Sequence, residues 1–191
     1  MNYFIKPYPV ILMMQAFFFT FTASASSVLP LDLHQLSTRA SLIFYGEVIS
    51  NNVKKDEQSG YIATFTEFKI IDLVKGNTGS THTIKQLGGH LASAGATLRI
   101  QGVPEFETGK TYVVFLPEKS SLGFSSPLGL HQGSFSVSTI NGEKVVNVGY
   151  QPAEQPAQNS SIQVPLAVRV DKPSQARLDD FINTVRAYNT P

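Results

Sequence analysis

Residues 135–148 read FSVSTINGEKVVNV, two runs of alternating apolar and polar residues on either side of Asn141-Gly142. An Asn-Gly pair favours a two-residue type I′ turn, because both residues tolerate a positive φ. The register set by such a turn pairs Val137 with Val146 and Phe135 with Val148. The large apolar side chains of both strands then lie on one face. This stretch predicts an antiparallel sheet with one face turned to a hydrophobic core.

Runs rich in β-branched and aromatic residues also precede this hairpin, and each is bounded by glycine, proline or polar residues. The predicted strands are LIFYGEVIS (42–50), IATFTEFKIIDLV (62–74), HTIKQL (82–87), ATLRIQ (96–101) and TYVVFL (111–116). The stretches NNVKKDEQSG (51–60) and GGHLASAG (88–95) are predicted as loops, and VPEFETGK (103–110) as a turn. Many short strands at this spacing are typical of a β-barrel or a β-sandwich.

Two features in these strands predict irregular pairing. Gly46 lies in the middle of the first strand, where a glycine indicates a bulge or a tight bend. In the second strand the apolar residues change parity between Phe65 and Phe68. A bulge near Thr66-Glu67 would keep both sets on the core face.

Helical patterns occur at both ends of this β-rich region. Leu33, Leu36 and Ala40 recur at helical spacing in LHQLSTRA, and Asp32 with Gln35 predicts an N-terminal capping box. Near the C-terminus, a helix is predicted to begin at Pro173-Ser174. Its apolar stripe consists of Leu178, Phe181, Ile182 and Val185. Such a stripe is expected to dock on the sheet.

The first 25 residues differ in composition from the rest of the chain. Lys6 is followed by an apolar run from Val10 to Phe21 and then by Ala23-Ser24-Ala25. This order predicts a secretory signal peptide that is cleaved before Ser26. A membrane anchor is the alternative, although the run is shorter than the ~20 residues that span a bilayer. We expect an exported protein, periplasmic or extracellular, without stable membrane insertion after cleavage.

Charge and cysteine content exclude several classes of function. The chain has 15 basic and 14 acidic residues. Residues 1–25 contain one lysine and no acid, so residues 26–191 carry equal numbers of each. Nucleic-acid binding requires clustered basic residues, and this balance argues against it. The chain has no cysteine, so disulfides and an N-terminal lipidated cysteine are both excluded.

The order of several short motifs resembles the netrin-like (NTR) domain, the OB-type barrel shared with the tissue inhibitors of metalloproteinases. In that pattern a helix ending in R-A-D precedes a V-F-x-G-x-V strand, a second strand ends in V-x-K-G, and G-x-x-Y-L-V-F marks a late strand. The matching residues are Arg39-Ala40, Phe44, Gly46, Val48, Lys75-Gly76, Gly109, Tyr112, Val114 and Phe115. The resemblance covers roughly residues 31–118.

This resemblance implies an OB-like antiparallel barrel, and the predicted fold is therefore mainly β. The residue patterns add a short N-terminal helix and a C-terminal amphipathic helix, the second of which lies outside the match. The expected division is a signal peptide (1–25), an NTR-like β-barrel domain (26–150), a flexible loop or linker (151–161), and a C-terminal strand and helix docked on the barrel (162–191). The inhibitors of this family act through an N-terminal cysteine that ligates the protease zinc. This chain has no cysteine, so that mechanism does not transfer.

A search for catalytic and metal-binding motifs is negative. None of the four histidines has H-x-x-x-H or H-E-x-x-H spacing. GFSSP, at residues 123–127, lacks the second glycine of a G-x-S-x-G elbow, and KGNTGST from Lys75 is not a Walker loop. We expect no catalytic residues, no metal and no cofactor.

The remaining candidate site is the glycine-rich loop that contains Gly88, Gly89 and His90. Adjacent glycines allow a positive φ and the close approach of a partner backbone. In OB-type barrels the ligand-binding face borders such loops. His131 is predicted to meet His90 at the same rim of the barrel, so these four residues are the candidate partner-binding site.

Three hypotheses for function follow. The first is an exported, non-enzymatic interaction module that binds a secreted protease or an envelope component. The second is a metal-dependent hydrolase whose serine, histidine and acidic residues are scattered along the sequence. The third is a subunit of an envelope assembly.

Export is directly testable. The protein recovered from its native host is expected to begin at Ser26 or within a few residues of it, because the A-S-A sequence places the cleavage site there. N-terminal sequencing or intact-mass measurement provides the check. Recovery of chains that still begin at Met1 from the membrane fraction would contradict cleavage.

Overall fold

The described residues of the computed structural model are 30–148 and 174–190, and they form nine β-strands and two α-helices. The strands are β1 (Leu42–Lys55), β2 (Ile62–Lys75), β3 (Thr81–Leu87), β4 (Gly89–Leu91), β5 (Ala96–Leu98), β6 (Thr111–Leu116), β7 (Ser134–Ile140), β8 (Glu143–Val148) and β9 (Ser174–Arg177). The helices are α1 (Leu33–Arg39) and α2 (Leu178–Asn189). The predicted signal peptide and the linker 151–161 lie outside the described residues, as does the strand predicted after that linker, LAVRVD at 166–171.

Seven strands form one antiparallel sheet in the order β3-β2-β1-β6-β7-β8-β9, and β4 and β5 form a separate two-stranded hairpin. The mainly β, antiparallel prediction is confirmed. No closed barrel is found among the described residues, because the outer strands β3 and β9 do not pair with each other. On the outer side of β3, the Ser125 N–H donates to the Lys85 carbonyl (3.0 Å), so a loop takes part of that edge. No helix in the described ranges is long and apolar enough to cross a membrane.

The β7–β8 hairpin has the predicted register. Val137 pairs with Val146, and the strands are joined at Asn141-Gly142. Both turn residues have positive φ, 51° at Asn141 and 83° at Gly142, as a type I′ turn requires.

Pairing between β1 and β2 is irregular at three places. One shift lies at Gly46, as predicted, and a Cβ at this position would lie 2.8 Å from the Lys69 carbonyl oxygen. A bulge was also predicted near Thr66-Glu67 of β2. The pairing is irregular there, but the extra residue is on the other strand. Val48 pairs with Phe68 and Ser50 with Glu67, so the extra residue is Ile49 on β1. The position of a bulge depends on how the two strands pair, so the sequence of β2 alone could not place it on β1.

Two hydrophobic cores lie on opposite faces of the sheet. The first contains Ile43, Tyr45, Val113 and Phe115 from the sheet, together with Leu36 of α1 and the whole predicted stripe of α2. The second is aromatic, with Phe44, Phe68, Phe106 and Tyr112 in edge-to-face contact at centroid distances of 5.0–5.3 Å between successive rings. Both faces of the central strands are therefore buried.

Helix α1 is fixed at both ends. The predicted capping box is present: the Gln35 N–H donates to Asp32 Oδ1 (2.7 Å) and the Asp32 N–H donates to Gln35 Oε1 (3.2 Å). At the other end, Lys75 Nζ donates to the carbonyls of Ser37 (2.8 Å) and Thr38 (3.2 Å). A lysine at this end satisfies free carbonyls and opposes the negative end of the helix dipole.

Three segments differ from their predicted secondary structure. Residues 51–55 belong to β1 and not to a loop, because each pairs with a residue of β2. The predicted loop GGHLASAG contains β4 and a 3-10 turn (Ala92–Ala94), and only Ala96–Leu98 of the following strand is extended. Finally, Ser174–Arg177 is strand β9, so α2 begins at Leu178 and not at Pro173-Ser174. In each case pairing with a neighbouring strand outweighs the local polar or helical signal.

The type I′ turn can be tested with two matched glycines. Neither Gly142 nor Gly79 has an atom closer than 3.9 Å to the position of an added Cβ, but only Gly142 has φ in the left-handed region. Gly142→Ala is therefore expected to lower the free energy of unfolding by about 1 kcal/mol, whereas Gly79→Ala should be close to neutral. Urea denaturation of both variants measures the difference. An equal midpoint for the two variants would remove the turn assignment.

Candidate functional site

Gly88 and Gly89 redirect the chain from β3 into the β4–β5 hairpin. Their φ values are 99° and 132°. The Gly88 N–H donates to the Ile62 carbonyl (2.8 Å). An added Cβ would lie 2.6 Å from the Leu98 carbonyl at Gly88, and 2.5 Å from Thr64 Oγ1 at Gly89. Only glycine allows the hairpin to approach β2 this closely.

A cleft of about 130 Å³ lies between this hairpin and the segment that follows β5. Gly88, Gly89 and His90, which the sequence singled out, are among its lining residues. The others are Thr64, Gln86, Leu87, Thr97, Leu98, Arg99, Ile100, Val103, Pro104 and Glu105. The structure thus brings three of the four predicted site residues to one cavity.

Hydrogen bonds within the protein hold the polar side chains of the cleft. His90 Nδ1 and Thr97 Oγ1 are 2.8 Å apart, which ties β4 to β5. Thr64 Oγ1 donates to the Gly88 carbonyl (2.7 Å), and Gln86 Nε2 donates to the Pro104 carbonyl (3.2 Å). The walls of the cleft are therefore fixed before any ligand enters.

Arg99 and Glu105 also line the cleft, one basic and one acidic. Both are exposed, and within the described ranges neither forms a salt bridge. Since no described residue pairs with them, the guanidinium and the carboxylate can contact charged groups of another molecule.

His131 does not line this cleft. It lies in the 3-10 turn Leu130–Gly133 before β7, and its Nδ1 is 3.8 Å from the position of an added Cβ at Gly102. The predicted pair of His90 and His131 does not share a cavity. Among the described residues, no group of three or more His, Asp or Glu side chains is placed to hold a metal ion.

A buried ion pair was missed at the sequence level. Lys85 Nζ lies 2.8 Å from Asp56 Oδ2, and both side chains are 10% exposed. Asp56 stands in a stretch predicted as a polar loop, and Lys85 in a strand, so nothing in the sequence joined them. The hydrogen bond from Lys85, with a second from Ser59, lowers the Asp56 pKa from its ordinary 3.8 to about 2.

The remaining contacts of Lys85 identify this pair as a structural clamp. Its ammonium also donates to the Leu122 carbonyl (2.6 Å) and lies 4.5 Å from the centre of the Phe124 ring. It therefore holds the loop that covers the edge of β3. The buried Ser125 hydroxyl beside it has no hydrogen-bond partner among the described residues, so Lys85 is not placed to activate it as a nucleophile.

His82 is partly buried in β3. Its Nδ1 lies 3.0 Å from Thr78 Oγ1, and its ring centre is 5.7 Å from that of Phe44. Burial, and secondarily the charge of Lys119, lowers the His82 pKa from its ordinary value. A neutral ring between a turn and the aromatic core has a structural role, in agreement with its predicted position in a strand.

A second, more apolar groove of about 330 Å³ is lined by Leu33, Ala176, Phe181 and neighbouring residues. It also includes Val148 and Gln175, next to the positions where the described chain stops and resumes. The groove thus lies where the two described ranges end, and the cleft at Gly88–His90 is the better candidate for an outside ligand.

Comparison with known proteins supplies no functional assignment. No protein-family model matches the chain, and a search of curated proteins finds no significant match. Function must therefore be inferred from the geometry of the site.

The clamp predicts a specific acid response. Asp56 binds a proton more weakly in the folded protein than in the unfolded chain, so its contribution to stability is complete above about pH 4 and is lost as the pH falls toward 2. Asp56→Asn should be less stable at pH 7 and show a smaller loss between pH 4 and 2. Urea denaturation across this range measures both effects.

The exposed neighbour Glu57 supplies the control, since Glu57→Gln should keep the wild-type acid profile. A wild-type profile in Asp56→Asn would contradict the clamp.

Proposed function

We propose that this protein is an exported, non-enzymatic interaction module that binds a partner protein at the cleft formed by Gly88, Gly89 and His90. The observation that carries the proposal is the convergence at one preformed cleft of these three residues with Arg99 and Glu105, whose charges form no salt bridge with any described residue. A rigid concave site with charged residues around it suits recognition of a protein surface. The sequence supports export through the signal-peptide pattern of residues 1–25.

A binding role agrees better with the chemistry of the cleft than a hydrolytic one. His90 is engaged with Thr97, and Thr64 uses its proton in the bond to the Gly88 carbonyl. Hydrolysis by a side-chain nucleophile needs a base within hydrogen-bond reach of that nucleophile, with a third group to orient the base. His90 is within reach of the Thr97 hydroxyl, but no described residue bonds the other ring nitrogen of His90 to orient it.

The relationship to the netrin-like domain is also a proposal, with the open sheet as a variant of the OB-type barrel. Its support comes from the structural positions of the matching motifs. Lys75 caps α1, and an added Cβ at Gly76 would lie 2.4 Å from the Ser41 carbonyl oxygen. Tyr112 belongs to the aromatic core and Phe115 to the opposite one. These residues account for the fold, and none lines the cleft.

Site-specific photo-crosslinking in the native host tests the proposed function. A photoreactive residue at the exposed Thr97 is expected to form an adduct with a partner, whereas one at the exposed Asp179 on α2 should not, because α2 covers the opposite face. Excess unlabelled protein should reduce the adduct.

The Arg99→Glu, Glu105→Lys double variant should compete more weakly, since it reverses both charges. Mass spectrometry then shows whether the partner is a protease or an envelope component. No adduct at Thr97, or equal adducts at both positions, would contradict the proposal.

A further inference from the structure

Gln86 carries an unused hydrogen-bond acceptor at the cleft. The residue is only 3% exposed and lines the cleft. Its Nε2 donates to the Pro104 carbonyl, but no described residue donates to its Oε1. The Oε1 atom itself is not buried, so a group in the cleft can reach it. A ligand that donates a hydrogen bond would satisfy this acceptor.

Thr64 also favours a ligand that donates a hydrogen bond. Its hydroxyl proton is used in the bond to the Gly88 carbonyl, so its oxygen can only accept from a ligand. Two side-chain oxygens at the cleft are therefore acceptors. A carboxylate, which has no proton to donate, is disfavoured next to them, whereas an O–H or N–H group fits.

Apolar walls surround these two acceptors. Leu98, Ile100, Val103 and Pro104 are half-buried lining residues, and the volume of about 130 Å³ suits one side chain. An ammonium or guanidinium group would lose its hydration against these walls, and the carboxylate that lines the cleft, Glu105, is exposed and hydrated. A neutral donor at the end of an apolar body avoids that loss. Tyrosine and tryptophan both have this combination, and tyrosine, the smaller of the two, suits the volume of about 130 Å³.

Building on the proposed function, we propose that the cleft binds a tyrosine side chain of the partner protein. The ring packs against Leu98, Ile100, Val103 and Pro104, and the phenol O–H donates to Gln86 Oε1. The exposed Arg99 and Glu105 contact the partner's residues on either side of that tyrosine.

Titration of the purified protein with three small probes tests this specificity by NMR. N-acetyl-tyrosine amide should shift the backbone signals of Gly88, Gly89 and Leu98 in a saturable manner. N-acetyl-phenylalanine amide, which lacks the hydroxyl, should bind about threefold to tenfold more weakly. N-acetyl-lysine amide should not bind. Equal affinity for the tyrosine and phenylalanine probes, tighter binding of the lysine probe, or no binding of any probe would overturn the proposal.

A substitution of Gln86 tests whether its amide causes the preference for tyrosine. Gln86→Leu should bind the tyrosine and phenylalanine probes equally, because the acceptor is gone. Gln58→Leu is the matched control: it also removes an amide that donates to a backbone carbonyl, that of Ser121, but it lies outside the cleft. It should keep the wild-type preference. If Gln86→Leu fails to fold, Val103→Phe, which narrows the cleft, should weaken both probes. Persistence of the tyrosine preference in Gln86→Leu, or unchanged binding in Val103→Phe, would overturn the proposal.

The two proposals fail separately. An adduct at Thr97 without any preference for tyrosine would overturn the tyrosine specificity and leave the binding function intact. Tyrosine-selective binding to the purified protein without an adduct in the host would support the chemistry of the cleft and contradict the proposed function.

Discussion

Alternate side chains of β1 enter two separate hydrophobic cores, Ile43 and Tyr45 on one face and Phe44 and Val48 on the other, all of them at most 3% exposed. A central strand that is apolar on both faces requires a cover on each side. Helices α1 and α2 supply one cover. The other comes from the aromatic side chains of β2 and β6 and from Phe106, which a loop brings to the second face. The positions of helices and loops follow from this double burial.

The loop that carries Phe106 also forms part of the cleft. Asn51 Nδ2 donates to the Phe106 carbonyl (2.7 Å), and the Glu107 N–H donates to Tyr112 Oη (3.2 Å), which fixes the loop on the second core. Its preceding residues, Val103–Glu105, then face the β4–β5 hairpin. Where the aromatic core ends, the same face of the sheet continues with polar residues such as Thr64 and Gln86. The candidate binding site is thus the polar margin of a hydrophobic core.

Two ion pairs link loops or helices to the outer part of the sheet. The pair of Lys85 and Asp56 holds the loop over β3, and Arg186 of α2 binds Asp72 of β2 (2.6 Å). An uncovered edge strand offers unpaired backbone groups to other chains, so a clamped loop at β3 protects against unwanted pairing. With that edge occupied, the proposed association with a partner uses another surface, the cleft beside the β4–β5 hairpin.

The sequence by itself determined the elements whose causes are local. Asn141-Gly142 and the alternation around it defined the β7–β8 register, Asp32 and Gln35 defined the start of α1, and the period of Leu178 to Val185 defined the buried face of α2. Backbone preference, capping and side-chain period act over a few residues, so they can be read without a partner. The sequence also pointed to Gly88, Gly89 and His90, because adjacent glycines indicate a backbone with positive φ.

Only the tertiary structure decided the features that depend on distant residues. The extra residue Ile49, the strand character of residues 51–55 and strand β9 all follow from which segment pairs with which. Lys85 meets Asp56 across 29 positions of the chain, and the amide of Gln86 meets the Pro104 carbonyl across 18. His131 was predicted to meet His90, but it lies in the turn before β7 and does not line the cleft. Burial and hydrogen-bond satisfaction are properties of the packed chain, so a residue type and its neighbours in sequence cannot specify them.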